Sequence, residues 1–451
     1  MEKSFESFLS EAAHVKPSKR QLRVWSEVGF YAFIHFSPNT YTGREWGLGN
    51  EDPAIFNPTE LDCDEWVSAI KSAGMKGAVI TAKHHDGFCL WQTAYTEHSI
   101  KNSPYKNGKG DIVRELSDAC RRGGIEFGFY LSPWDRNSAL YGTPEYNDYY
   151  KNQLRELLTN YGDVFYVWFD GACGEGPNGK KQEYDFPGYI KLIRELQPNA
   201  AIFNDAGPDI RWCGNESGSA RAAEWAVVPH ELAFRAEKQT DGALLDGELK
   251  HMYNTDADIG GLSNIMYSSG LSFCPSEIDM SIRPGWFYHA SEEAHPLDRL
   301  FDTYINSVGG NTSFNLNIPP MPSGRFDPDD IERLHELGEM IKASFSDNLA
   351  EKEGVTLTEE KVSRTQKKIK LRFPECVDIH YVVLREKIAE GQRVESFRLT
   401  VPTQSERDET RFEGRTVGNR KICRVNIRTE ELTVFITSAR DTAELMNVEV
   451  Y

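Results

Sequence analysis

The sequence predicts an α/β protein in which a (β/α)8-like barrel over residues 1–346 is followed by an antiparallel β-sandwich over residues 347–451. The length of 451 residues suits one large domain and one smaller domain. From about residue 30 to residue 340, short apolar runs alternate with amphipathic helical patterns, which is typical of parallel strands joined by crossover helices. From about residue 355 the runs read as strands with no helical pattern between them.

Five apolar runs predict the first strands of the barrel. They cover residues 30–36, 77–83, 126–132, 164–169 and 200–204. Amphipathic patterns that begin and end with helix-capping residues lie between them, at residues 57–73, 111–122, 145–161 and 189–196. After residue 205, long segments rich in Gly and Trp interrupt this order, which resumes with a helix at 297–307 and a strand at 312–318. We interpret the whole as a TIM-type barrel whose later loops are enlarged.

The predicted β-sandwich follows a helix at residues 327–345. Its strands are expected at residues 367–373, 377–384, 393–401, 421–427 and 432–436. The segment has no dense stripe of aromatic side chains, so we expect it to cover the flank of the barrel rather than to bind carbohydrate.

Composition argues against several classes of protein. Hydrophobic residues make up 39% of the chain and charged residues 27%, as in globular proteins. The 69 acidic and 51 basic residues give a net charge of −18, which argues against nucleic acid as a partner. No apolar run reaches the roughly 20 residues of a membrane-spanning helix, and the first residues lack a signal-peptide pattern. We therefore expect no membrane partner and a cytoplasmic protein as the sequence stands, or a secreted one if a leader has been removed.

Polar residues stand at or just after the end of each apolar run. Because the chemistry of barrel enzymes lies at the carboxyl ends of the strands, we expect these side chains to share one site. They are His35, His84-His85-Asp86, Asp135, Asp170 and Asn204-Asp205.

Asp170 follows an almost wholly apolar run and precedes Gly171, so it either begins a turn or presents a carboxylate at the site. Retaining glycoside hydrolysis uses two carboxyl groups about 5 Å apart, one as nucleophile and one as acid/base. The downstream carboxyls that could act with Asp170 are Asp205, Asp209, Glu216 and Glu224. Glu216 is favoured because it stands in a Gly-flanked loop near Trp212, where an apolar ring and a carboxylate would raise its pKa.

The pair His84-His85 could indicate a metal site or a sugar site. Consecutive residues of a strand point to opposite faces, so both imidazoles cannot easily bind one ion unless the strand has ended. Recognition of sugar hydroxyls is therefore favoured, and we expect neither a metal nor a cofactor. A metal-dependent hydrolase built on His35, His84, His85 and Asp86 remains an alternative, which inactivation by a chelator would reveal.

Three motifs together resemble glycoside hydrolase family 29, the α-L-fucosidases. They are Phe-Ile-His-Phe-Ser at 33–37, Lys-His-His-Asp-Gly-Phe at 83–88 and Val-Trp-Phe-Asp-Gly at 167–171, and the resemblance extends from about residue 29 to residue 320. It implies a retaining, metal-free enzyme that acts on fucosylated oligosaccharides or glycoconjugates, with Asp170 as its nucleophile. The fucose pocket that it implies consists of His35, Glu45, Trp46, His84, His85, Tyr130 and Trp286.

The segment Gly-Pro-Asp-Ile-Arg-Trp-Cys-Gly-Asn-Glu at 207–216 is similar to one subgroup of this family. The broad-specificity branch typically has Asn-Asp-Arg after the fifth strand, whereas this chain has Asn-Asp-Ala at 204–206. The likeness implies cleavage of α-1,3 and α-1,4 fucosyl branches of Lewis-type oligosaccharides, with Glu216 as the acid/base. We place Asp135, Arg211 and Trp212 on the leaving-group side. A broad-specificity fucosidase and a catalytically silent fucose-binding protein remain alternatives, and the oligomeric state stays open.

Overall fold

A computed structural model describes residues 5–205, 207–232, 258–403 and 408–451, and its centre is a barrel of eight parallel strands. Their order around the barrel is β5-β4-β3-β2-β1-β10-β9-β6, and a parallel bridge between Phe203 and Ile210 closes the ring. The barrel strands are β1 (Phe30–Ile34), β2 (Gly77–Lys83), β3 (Glu126–Leu131), β4 (Tyr166–Trp168), β5 (Ala201–Phe203), β6 (Arg211–Trp212), β9 (Ser276–Ser281) and β10 (Ser313–Asn317). The predicted (β/α)8-like barrel is confirmed.

Buried side chains on both faces explain why the first barrel strands, β1 to β5, read as continuous apolar runs. Every residue of β1, β2 and β10 is buried, as expected when helices cover the outside of a parallel barrel and side chains fill its inside. Two further strands, β7 (Val227–Pro229) and β8 (Leu271–Phe273), pair antiparallel outside the barrel. They belong to the enlarged region that the loosened sequence pattern predicts.

The helices begin where side chains cap them. Asp111 accepts a hydrogen bond from the backbone N–H of Arg114 at the start of one helix, which Gly124 ends in the left-handed conformation. The helix predicted from residue 57 starts later than expected, because Asp62 rather than Asn57 supplies its cap. The described α-helices are Phe5–Ala13, Lys19–Leu22, Asn39–Thr42, Cys63–Ser72, Ile112–Gly123, Glu145–Asn160, Phe186–Leu196, Leu262–Ile265, Leu297–Ser307 and Pro328–Phe345. None of them is both long enough and apolar enough to cross a membrane.

The C-terminal region is an antiparallel sheet domain with its own hydrophobic core, consistent with the predicted β-sandwich. Its strand order is β11-β12-β15-β13-β14, and β16 pairs with β12. The strands are β11 (Thr356–Lys361), β12 (Lys367–Arg385), β13 (Val394–Pro402), β14 (Asp408–Gly414), β15 (Lys421–Ala439) and β16 (Asn447–Val450). The structure differs from the prediction in two respects. Strands β12 and β15 are 19 residues long, and each joins two predicted strands across register irregularities. Strands β11, β14 and β16 were not predicted.

Backbone hydrogen bonds attach this sheet to the barrel just before β10. Ile422 N donates to Gly309 O (2.8 Å), and Asn311 N donates to Arg420 O (3.1 Å). Trp25, from the segment before β1, donates its indole N–H to Asn311 O (3.1 Å). The start of β15 therefore supports the turn that leads into the last barrel strand.

Candidate active site

A cavity of about 220 Å³ opens at the carboxyl ends of the barrel strands. All nine residues that the sequence assigns to catalysis or to the fucose pocket line it. Four further residues, Phe33, Trp168, Ala172 and Asp279, complete its wall. The lining residues are Phe33, His35, Glu45, Trp46, His84, His85, Tyr130, Trp168, Asp170, Ala172, Glu216, Asp279 and Trp286.

Asp170 is held firmly at the floor of the cavity, two residues after the end of β4. Its Oδ1 accepts a hydrogen bond from Ala172 N (2.7 Å), and its Oδ2 accepts one from Tyr130 Oη (3.0 Å). His85 Nε2 lies 3.8 Å from the same Oδ2, and about a quarter of the Asp170 side chain (26%) remains exposed. The carboxylate is therefore fixed in direction and still open to a ligand.

Glu216 approaches the cavity from the loop that follows β6. Trp286 Nε1 donates to its Oε2 over 3.3 Å. Partial burial raises the pKa of Glu216, and the negative charges of Asp170 and Glu45 raise it further, while the Trp286 hydrogen bond opposes the shift. A carboxyl with a raised pKa keeps its proton at higher pH, as a general acid requires.

Three histidines form one wall of the cavity. Because β2 ends at Lys83, the alternation of a strand no longer applies, and His84 and His85 face the same cavity with ring centroids 4.2 Å apart. Burial lowers the pKa of His35 to about 3, and it also lowers the pKa values of His84 and His85. All three imidazoles are therefore neutral near pH 7.

Glu45 joins two loops above the cavity. Its Oε2 accepts from Trp286 N (2.8 Å), and its Oε1 lies 2.8 Å from His289 Nε2. The loop after β1 is thereby tied to the loop after β9. His289 was not predicted from the sequence, because no local motif contains it and only the fold brings it to Glu45.

Two of the three residues assigned to the leaving-group side are enclosed elsewhere. Asp135 is fully buried in an ion pair with Lys83 (3.0 Å). Arg211 is fully buried and pairs with Glu224. Neither side chain lines the cavity. Trp212 lies nearer, since its indole N–H donates to the cavity residue Asp279 over 2.8 Å.

The other carboxyls considered as partners of Asp170 have different surroundings. Asp209 pairs with Arg20 and Arg194 at 2.8 and 2.5 Å, and Glu224 pairs with Arg211. Asp205 does not line the cavity, and burial and then the charge of Asp170 raise its pKa to about 7. Of the four candidates, Glu216 alone lines the cavity.

Two acidic residues of β9 were missed from the sequence. Asp279 lines the cavity, and burial followed by the charges of Glu216 and Glu277 raises its pKa well above the ordinary value. Glu277 lies deeper in the barrel, among the side chains of Tyr31, Tyr166 and Trp168. The signal was present, because polar and apolar residues alternate with period two over residues 277–281.

Of the four residues of the alternative metal site, the three histidines line the cavity and Asp86 does not. The carboxylate of Asp86 accepts hydrogen bonds from Ser37 Oγ and Phe88 N, both at 2.7 Å, and it does not line the cavity. Among the residues that the structure describes, no group of three or more His, Cys, Asp or Glu side chains is arranged to hold a metal ion.

Comparison with known proteins identifies the family. The sequence model of the family described as Alpha-L-fucosidase matches residues 11–344. The chain belongs to the α-L-fucosidase family. It is 41% identical over 434 residues to Alpha-L-fucosidase 1 of Arabidopsis thaliana, a match that covers 90% of this chain and 81% of that protein. The protein is thus a glycoside hydrolase of family 29.

Solved structures agree with this fold over nearly the whole chain. A putative α-L-fucosidase from Bacteroides ovatus is 41% identical, with a TM-score of 0.89 over 100% of this chain and 76% of that one. A family 29 fucosidase from Ruminococcus gnavus, solved in complex with fucose, is 29% identical with a TM-score of 0.85. That match covers 98% of this chain and 96% of the other.

Proposed function

We propose that this enzyme is a retaining exo-α-L-fucosidase in which Asp170 is the nucleophile and Glu216 the acid/base. The observation that carries the proposal is the pairing of two unlike carboxyls in one small cavity. Asp170 is fixed by two hydrogen bonds, whereas Glu216 has a raised pKa. A carboxylate fixed by hydrogen bonds beside a carboxyl with a raised pKa is the arrangement that nucleophilic and acid/base roles require.

The reaction proceeds in two displacements. Asp170 attacks the anomeric carbon, the glycosidic C–O bond breaks, and Glu216 gives its proton to the departing oxygen. Esterification removes the charge of Asp170, which lowers the pKa of Glu216 and makes it a base. Glu216 then takes a proton from water, whose oxygen displaces Asp170 and releases fucose with its original anomeric configuration.

The size and lining of the cavity support removal of a single terminal sugar. A volume of about 220 Å³ is small against the roughly 300–1,000 Å³ of pockets for drug-sized ligands. His35, His84 and His85 can bind hydroxyl groups, whereas Phe33 and Trp286 offer apolar faces that suit the methyl group of fucose.

We propose α-1,3- and α-1,4-linked fucose of branched oligosaccharides as the preferred substrate. The segment 207–216 supports this through its likeness to the subgroup. Contacts of this segment hold the loop that carries Glu216. Asp209 forms ion pairs with Arg20 and Arg194. The indole N–H of Trp212 donates a hydrogen bond to Asp279. At the rim, Trp46 is 59% exposed and lies 5.6 Å from Trp134, ring centroid to centroid. The exposed ring of Trp46 suits the apolar face of a neighbouring sugar.

Fucose release from three substrates tests this proposal. They are a Lewis a trisaccharide, an α-1,2-fucosylated lactose and an aryl α-L-fucoside. We expect efficient release from the trisaccharide and little from the α-1,2-linked compound. Equal release from all three would leave a broad-specificity fucosidase, and no release from any would point to a silent fucose-binding protein. NMR of the first-formed sugar should show the α anomer, and initial release of the β anomer would contradict the double displacement.

A further inference from the structure

We infer that Asn317 and Ser132 are positioning residues that keep His35 and His85 protonated on Nδ1, so that both Nε2 atoms accept hydrogen bonds from substrate hydroxyl groups. The part of this inference that concerns the sugar rests on the proposed function. The part that concerns the two tautomers rests on the hydrogen-bond network alone. The two parts can therefore be tested separately.

The orientation of the Asn317 amide follows from its partners. Its Nδ2 lies 2.8 Å from Trp286 O and 2.8 Å from Ser281 Oγ. A carbonyl oxygen cannot donate, so the atom facing Trp286 O must be the amide nitrogen. The Asn317 Oδ1 then faces His35, where it accepts from the backbone N–H over 3.2 Å and lies 2.8 Å from Nδ1.

The protonation site of His35 follows from that orientation. An amide oxygen carries no hydrogen, so the 2.8 Å contact requires a hydrogen on His35 Nδ1. A neutral imidazole has one N–H, which leaves a lone pair on Nε2. Asn317 is fully buried, and both lone pairs of its amide oxygen and both amide hydrogens have a partner. This orientation of the amide therefore satisfies every hydrogen-bonding position of the side chain.

Ser132 imposes the same state on His85. Its Oγ lies 2.6 Å from Trp134 O and 2.7 Å from His85 Nδ1. The Trp134 carbonyl oxygen carries no hydrogen, so the single hydroxyl hydrogen of Ser132 must lie in the contact with that oxygen. His85 Nδ1 must therefore carry the hydrogen of the second contact, and His85 Nε2 becomes an acceptor on the side of Asp170. Burial disfavours the charged form of both rings, in agreement with a single N–H on each.

This assignment defines which atoms of the cavity accept hydrogen bonds. His35 Nε2, His85 Nε2 and the carboxylates of Asp170 and Glu45 are acceptors, so the substrate must bring hydroxyl hydrogens to them. A sugar in which fluorine replaces a hydroxyl can accept but cannot donate, and it would leave a buried acceptor without a partner. Sites built to bond a hydroxyl reject such analogues strongly, because the unpaired group keeps its desolvation cost.

The first experiment measures the tautomers directly by ¹⁵N NMR of the full-length enzyme labelled in histidine. The chain has 11 histidines, so His35→Gln and His85→Gln suffice to assign the two relevant sets of signals. We expect protonated-type shifts at Nδ1 and unprotonated-type shifts at Nε2 for both residues. An Nε2–H tautomer at either residue would overturn the inference, whether or not the enzyme releases fucose.

The second experiment uses variants with a matched control. Asn317→Ala and Ser132→Ala should move the corresponding histidine toward the Nε2–H tautomer. Asn315→Ala should leave both histidines unchanged, because Asn315 lies on the same strand but bonds Glu277 instead. If Asn317→Ala does not fold, the measurement on the unmodified enzyme and on Ser132→Ala still decides the matter.

The third experiment concerns the sugar. Binding of L-fucose is compared with binding of its singly deoxyfluorinated analogues, and at least one analogue should bind about tenfold more weakly or worse. That discrimination should shrink in Ser132→Ala and persist in Asn315→Ala. Equal binding of fucose and every analogue, with the tautomers as expected, would remove the link to sugar hydroxyls. Absence of fucose binding altogether would instead contradict the proposed function.

Discussion

Two carboxyl-bearing layers of the barrel differ in how much of their hydrogen-bonding capacity the protein itself uses. In the deeper layer, Glu277 is fully buried and accepts from Tyr31, Tyr166 (2.7 Å), Trp168 (2.8 Å) and Asn315 (3.2 Å). In the upper layer, Asp170 accepts two hydrogen bonds from the residues that the structure describes, and it remains partly exposed.

This difference separates the structural carboxylate of Glu277 from Asp170, the carboxylate that we propose as the nucleophile. Both groups stand on barrel strands or at their ends and both face inward, so residue type and location do not distinguish them. What distinguishes them is the acceptor capacity left for a ligand, together with access to the cavity. Substitution of Asp170 should therefore mainly lower turnover, whereas substitution of Glu277 should mainly lower the stability of the fold.

The largest effect is expected for Asp170→Ala. Loss of the proposed nucleophile should lower kcat/KM on an aryl α-L-fucoside by about 10⁴-fold or more, and external azide should not restore a product of retained configuration. Because Asp170 has few protein partners, the free energy of unfolding, measured by thermal denaturation, should change by about 1 kcal/mol or less. Near-normal turnover would remove Asp170 from the role of nucleophile.

The next effect is expected for Glu216→Ala. Turnover of an oligosaccharide should fall by about 10³-fold, since its leaving group needs a proton. An aryl fucoside with a good leaving group should lose far less in its first displacement. Equal loss of both substrates would shift the acid role to another carboxyl, and Asp205, whose pKa is raised to about 7, would be examined first.

In the deeper layer, Glu277→Ala should destabilise the fold by about 3 kcal/mol. The change leaves buried hydroxyl, indole and amide donors without an acceptor. Urea unfolding measures the loss, and kcat of the folded fraction should fall much less than in Asp170→Ala. Unchanged stability would show that the donors find other partners and that the two layers do not differ as described.

The smallest effect is expected for Trp286→Phe. Its indole hydrogen bond favours the ionised form of Glu216 and so lowers the pKa of that acid. Without it the pKa of Glu216 rises, and the alkaline limb of kcat/KM should move to higher pH by less than about one unit. A shift to lower pH would contradict the sign of this interaction.

The first half of the barrel was predictable because its signals are local. Strands β1 to β5 follow from apolar runs bounded by capping residues, and those patterns need no knowledge of distant contacts. Strand β6 has only two residues, and β9 carries Glu277 and Asp279 on its inward side, so its alternation resembles that of an exposed strand. In the C-terminal sheet, polar residues near Pro374 and Glu430 divide β12 and β15 into shorter apparent strands.

The site was predictable where a residue carries its own signal and unpredictable where it acts through a partner. Asp170 ends an apolar run, and His84 and His85 stand in a recognisable motif. Asn317 and His289 acquire their roles only because the fold brings them to His35 and Glu45. Asp135 and Arg211 pair with Lys83 and Glu224, and such buried ion pairs also depend on distant contacts that no local pattern indicates.

The pairing of the first barrel strand with the last has a consequence for biosynthesis. One edge of β1 pairs with β2, as in the contact of Ala32 with Ala78, but the other edge pairs with β10, where Phe30 lies opposite Phe314. A ribosome makes these partners far apart in time, so the growing chain carries an unpaired, wholly apolar strand edge through most of translation. His35 likewise meets Asn317 only across 282 positions of sequence. Activity in a nascent chain should therefore appear late, once Asn317 has left the ribosome.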